Sequence, residues 1–74
     1  MDEKTLSSLR EVVEAAYKNA TTSETFLKML TNGLKKLKDN RVISGFDLEQ
    51  AEEHVLILTV TDNDGQEHKF GLEV

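Results

Sequence analysis

Apolar residues in the first half of the chain recur every three or four positions, and in the last third they alternate with polar ones. The first pattern predicts helices and the second predicts strands. Leu6, Leu9, Val13, Ala16, Tyr17 and Ala20 share one stripe of a helix over residues 3–19, with Glu11, Glu14 and Lys18 on the other side. A second helix opens on a capping box, in which Thr21 accepts from the backbone near Glu24 and Glu24 reaches back to Thr21. Its stripe reads Phe26, Leu27, Leu30, Leu34 and Leu37. The Asn32-Gly33 pair is a helix-ending signal. Leu34 and Leu37 nevertheless keep the phase set by Phe26 and Leu30, so the helix is expected to continue to about Lys38.

Asp39-Asn40 turns the chain into a first strand, Arg41 to Leu48, followed by a polar connection over Glu49–Glu53. A second strand runs from His54 to Thr61 and a third from Gln66 to about Val74. Asn63-Asp64-Gly65 joins them as a three-residue hairpin loop with Gly65 in the left-handed position. If Asp62 faces Gln66, then Val60 meets His68, Leu58 meets Phe70 and Leu56 meets Leu72. A slip of one residue would destroy that match. Setting Phe46 opposite Leu56 brings the first strand onto the same face.

Even-numbered residues from Val42 to Val74 then look inward, and Val42, Phe46, Leu48, Leu56, Leu58, Val60, Phe70 and Leu72 form the buried face. The expected fold is α+β. Two N-terminal helices pack on one face of a three-stranded antiparallel meander, ααβββ in order 1-2-3. The outer face holds Ile43, Gly45, Val55, Ile57, Thr59, Lys69, Gly71 and Glu73, and two helices cannot cover it. Ile43, Val55 and Ile57 are expected to form an apolar patch there, a docking surface for a target protein or a second copy.

Size sharpens this expectation. The 74 residues imply one domain, 1–74, which buries only about 60% of its unfolded surface. Cysteine is absent, so neither disulfides nor a thiolate zinc site can reinforce the fold, and nothing argues for an oxidising compartment. Good packing or a partner subunit remains, and a homodimer through the outer sheet face is expected. The acidic, polar start and the lack of a long apolar run predict a cytoplasmic chain with no membrane partner.

Charge divides the chain unevenly. Residues 24–41 carry five basic side chains against two acidic, and residues 42–74 carry only Lys69 against eight acidic. The carboxylates gather near one sheet end (Asp47, Glu49, Glu52, Glu53) and near the hairpin (Asp62, Asp64, Glu67). Such a surface suits electrostatic docking on a basic protein, and it repels nucleic acid. The contrary surface is the basic side of the second helix, Lys28, Lys35 and Lys38 with Arg41 beyond, which could meet phosphates. It has no interleaved aromatic residues.

Chemistry finds little support. Asp62-Asn63-Asp64-Gly65 resembles a calcium loop, but an EF-hand with Gly65 as its glycine would need acidic ligands where Val60 and Gly71 stand. His54 and His68 lie near opposite ends of the predicted inner face, too far apart to share a metal. Ser7, Ser8, Ser23 and Ser44 have no neighbouring base, and no glycine-rich loop precedes a helix. No catalytic residue, metal or cofactor is therefore expected.

The reading that follows is a small non-catalytic acidic protein-binding module. It would act as an inhibitor or accessory subunit of phage or mobile-element type, docking through Ile43, Asp47, Glu49, Glu52, Glu53, Val55 and Ile57. The alternatives are a nucleic-acid binder using Lys28, Lys35, Lys38 and Arg41, and a homo-oligomeric small-ligand binder with a pocket at the subunit seam.

Overall fold

The computed structural model describes residues 1–73; the predicted inward place of Val74 lies outside them. Two helices, α1 (Glu3–Asn19) and α2 (Ser23–Asp39), precede three strands, β1 (Gly45–Glu52), β2 (Val55–Thr61) and β3 (Glu67–Glu73). The strands form one antiparallel sheet in the order β1-β2-β3, and both helices lie on one face of it.

Each helix begins on a side chain that satisfies an orphan backbone donor. Asp2 accepts from the Thr5 N–H at 2.8 Å, and that bond holds its carboxyl below the usual carboxylate range. At α2 the cap is Thr22 rather than Thr21. Its hydroxyl accepts from the Thr25 N–H at 3.1 Å and meets the Thr25 hydroxyl at 2.9 Å.

Helix α2 runs through Gly33 without a break. The glycine serves close helix packing, because a Cβ there would stand 2.6 Å from Val12 Cγ1 on α1. The helix ends in a Schellman motif: Val42 N–H donates to the Leu37 carbonyl at 2.9 Å and Arg41 N–H to that of Lys38 at 3.0 Å. Arg41 takes the left-handed position of this motif, with φ 62°. A non-glycine residue is disfavoured there by about 1–2 kcal/mol.

This cap delays the first strand, which begins at Gly45 and not at Arg41. Ile43, expected on the outer face, is instead 1% exposed and belongs to the core. The pleat's alternation does not apply to it, because it lies in the connection between helix and strand. Asn63 ties that connection to the hairpin tip: its amide donates to the Arg41 carbonyl at 2.8 Å and its oxygen accepts from the Ser44 hydroxyl at 3.1 Å.

The β2–β3 register is the predicted one, with Val60 opposite His68, Leu58 opposite Phe70 and Leu56 opposite Leu72. Gly65 closes the turn at φ 85°. The β1–β2 register differs. Phe46 faces Val60, Leu48 faces Leu58 and Gln50 faces Leu56. Strand β1 therefore continues through the expected connection to Glu52, and a tight turn at Glu53-His54 leads into β2. A bulge between Gln50 and Glu52 reverses the alternation, which puts Glu52 opposite Val55 on the outer face. His54 sits exposed in the turn, not on the inner face.

Along β2 the burial alternates strictly. Leu56, Leu58 and Val60 are buried; Val55, Ile57, Thr59 and Thr61 are only partly covered. The most deeply buried side chains are Leu30 and Leu34 of α2 with Ile43, Leu58 and Val60.

Candidate functional site

Cross-strand pairing places the outer face in rows. Gly45, Thr61 and Glu67 lie abreast, then Asp47, Thr59 and Lys69, then Glu49, Ile57 and Gly71, and finally Glu52, Val55 and Glu73. Five carboxylates (Asp47, Glu49, Glu52, Glu67 and Glu73) thus share a face with one cation, Lys69. All six charged residues are exposed. The central strand contributes the uncharged strip Val55, Ile57, Thr59 and Thr61. Gly45 and Gly71 flank it, and a Cβ built on either would meet nothing within 4 Å. The result is a shallow apolar line bordered on both sides by negative charge.

Of the predicted docking residues, Asp47, Glu49, Glu52, Val55 and Ile57 come together on this face. Glu53 lies beside them in the exposed turn, where its carbonyl accepts from the Gln50 amide at 3.3 Å. Ile43 does not join them, since it is buried beneath the sheet's other side. Lys28, Lys35 and Lys38 are exposed on α2, and Arg41 is exposed just beyond it. The helix backs the inner face, so these cations and the outer-face carboxylates occupy different layers of the molecule.

Asp62 stands apart from the other carboxylates. It is 6% exposed and fully hydrogen-bonded. One oxygen accepts from the Asp64 and Gln66 N–H groups at 2.9 and 3.0 Å, and the other lies 2.9 Å from His68 Nε2. The Met1 amino group approaches that second oxygen at 3.9 Å. The bond to His68, then those from the Gln66 and Asp64 backbone, hold the Asp62 carboxyl below its ordinary range, and burial opposes them. These contacts account for Asp, Asn, Asp and Gly in the hairpin by turn geometry. Among the described residues no three His, Cys, Asp or Glu side chains converge as a metal site would require.

Between α1 and β3 runs an apolar groove of about 380 Å³, lined by Leu6, Val13 and Tyr17 from the helix and by Leu58, Phe70 and Leu72 from the sheet. Leu6 is 37% and Tyr17 47% exposed. The helix periodicity contained the signal. Leu6, Val13 and Tyr17 follow one line of α1, at an angle to the line of Leu9 and Ala16 that reaches the core. Arg10 and Glu14 stand at the groove's rim.

No helix among the described residues is long and apolar enough to cross a membrane. Compared with protein-family models, curated proteins and solved structures, the chain matches none.

Proposed function

We propose that this chain is a non-catalytic protein-binding module whose outer sheet face occupies a basic surface on a larger cytoplasmic protein, as an inhibitor or accessory subunit. The observation that carries this reading is the set of five carboxylates, opposed by Lys69 alone, on a face that neither helix covers. Charge of one sign on a flat surface speeds encounter with a partner of the other sign and disfavours wrong partners. Val55 and Ile57 provide the apolar line that such a partner would cover. In a two-fold dimer through this face like charges would stand opposite each other, which favours a basic partner over a second copy.

The test compares affinity capture from the native host by the wild-type chain and by Asp47→Lys, Glu49→Lys and Glu52→Lys combined. The wild type should retain a protein with a basic surface, and raised salt should release it. The charge-reversed chain should retain none of it. Equal capture by both, or retention indifferent to salt, would reject the reading.

A further inference from the structure

We propose that two copies of this chain pair through the free edge of β3, antiparallel about Gly71, and close their α1–β3 grooves against each other. This edge adjoins the acidic face and shares Lys69 and Glu73 with it, but the proposal does not depend on that face having a partner.

The hairpin fixes which backbone groups are free. Asp62 N–H donates to the Gln66 carbonyl at 2.9 Å, which makes this a hydrogen-bonded pair at the start of the ladder. Alternation along an antiparallel pair then turns the groups of His68, Phe70 and Leu72 toward β2 and those of Glu67, Lys69, Gly71 and Glu73 outward. Tyr17 agrees with this phase, because its hydroxyl donates to the Glu73 carbonyl at 2.6 Å from outside the sheet. A carbonyl has two lone pairs, so Glu73 can still accept from a neighbouring strand. The edge carries neither proline nor bulge, two common devices that block strand addition.

Charge then selects the register. Pairing Lys69 with Lys69 of a second copy sets like charges opposite, and so does pairing Glu67 with Glu73. Centring on Gly71 sets Lys69 opposite Glu73 twice. It also sets Phe70 opposite Leu72 twice, on the face that carries the groove. A register centred on His68 would pair Glu67 with Lys69, but it would leave Phe70 facing Gln66. Gly71 presents no side chain at the symmetry centre, and the space over it is open.

Charge pairing about Gly71 selects a second copy as the occupant, and the chain has surface available for it. The chain exposes 5224 Å², whereas a compact monomer of its 8.3 kDa mass should expose about 4,600 Å². The excess is about 600 Å², three quarters of the roughly 800 Å² that each partner buries in a standard interface.

The test is the mass in solution, measured by light scattering or sedimentation from low to high micromolar concentration. The wild type should dimerise, and Lys69→Glu should weaken the dimer about tenfold or more, because two attractive cross-strand pairs become repulsive. Adding Glu73→Lys to Lys69→Glu should restore it. Both side chains are exposed, so the fold should survive, and circular dichroism checks that. A monomer at every concentration, or a Lys69→Glu dimer as tight as wild type, would overturn the proposal. Rescue by Glu67→Lys in place of Glu73→Lys would overturn the register about Gly71. Lys69→Glu removes the one cation opposing the five carboxylates, so it should not lower capture of a basic partner while it weakens the dimer, and the two results remain separate.

Discussion

The two helices cover the sheet unequally. Helix α2 lies close over β1, and its Leu30 and Leu34 are wholly buried against Ile43, Leu58 and Val60. Helix α1 stays farther off, with no Cα within 8 Å of a strand Cα. It buries Leu9 and Ala16 but leaves Leu6 and Tyr17 substantially exposed beside β3. One half of the domain is a closed core and the other an open groove. The difference follows from the helix–helix contact. Gly33 lets α1 and α2 meet closely at Val12, and the line of α1 that faces α2 cannot also face β3. None of the elements among the described residues fills the gap, so the open half, and not the closed one, is where an added molecule would contribute most burial.

Truncation should separate the halves most sharply. Leu34→Ala removes a side chain with no exposed surface and should destabilise the fold by about 2–5 kcal/mol. Leu6→Ala, measured by urea denaturation at a concentration where the chain is monomeric, should lower stability by less than about 1 kcal/mol. Similar losses at both positions would mean that the groove is closed in solution.

Packing at the helix contact should have the next largest effect. Gly33→Ala improves intrinsic helix propensity by about 1 kcal/mol, yet the new methyl would collide with a β-branched side chain that cannot easily turn away. The net result should be a loss of up to about 2 kcal/mol, because overpacking typically costs about 1–3 kcal/mol. In a Val12→Ala background the same substitution should be neutral or stabilising. A double-mutant cycle reads the coupling; if it is zero, α1 and α2 do not meet there.

Much of this arrangement was legible from pattern alone, and the misses have physical causes. Phe70 and Leu72 had to meet large apolar partners, so the β2–β3 register followed from parity and one glycine turn. Strand β1 offered only Phe46 and Leu48 as inward anchors, and the Glu53-His54 turn has no glycine to announce it, so its register was misplaced. The bulge at Ala51 leaves no mark in composition. Arg41 concealed the helix cap, since the left-handed position usually carries glycine. That concealment carried Ile43 onto the wrong face. Of the residues expected for docking, Asp47, Glu49, Glu52, Val55 and Ile57 share the outer face and Glu53 adjoins them, whereas Ile43 is buried. The groove was not foreseen, because a sequence shows which line of a helix is apolar and not how far the helix stands from a sheet.

The smallest expected effect concerns pH and the hairpin that ends the closed core. The folded-state pKa of Asp62 lies below its unfolded value of about 4. Its ionised form therefore adds stability above that value, and the contribution is lost as pH falls through the folded pKa. The wild-type urea midpoint should drop between neutral pH and pH below about 4 by more than that of Asp62→Asn. Equal slopes for the two proteins would show that the bonds from His68, Gln66 and Asp64 do not favour the charged form.

Which apolar side chains of the sheet face water decides where a partner can dock, and the absence of native cysteine allows that to be read directly. Single substitutions Ile57→Cys and Ile43→Cys can be compared by the rate of thiol labelling in the folded protein. The thiol at position 57 should be labelled readily in the folded protein, and the thiol at position 43 should be strongly protected. Protection at 57 together with ready labelling at 43 would contradict the placement of the acidic face and the proposal built on it.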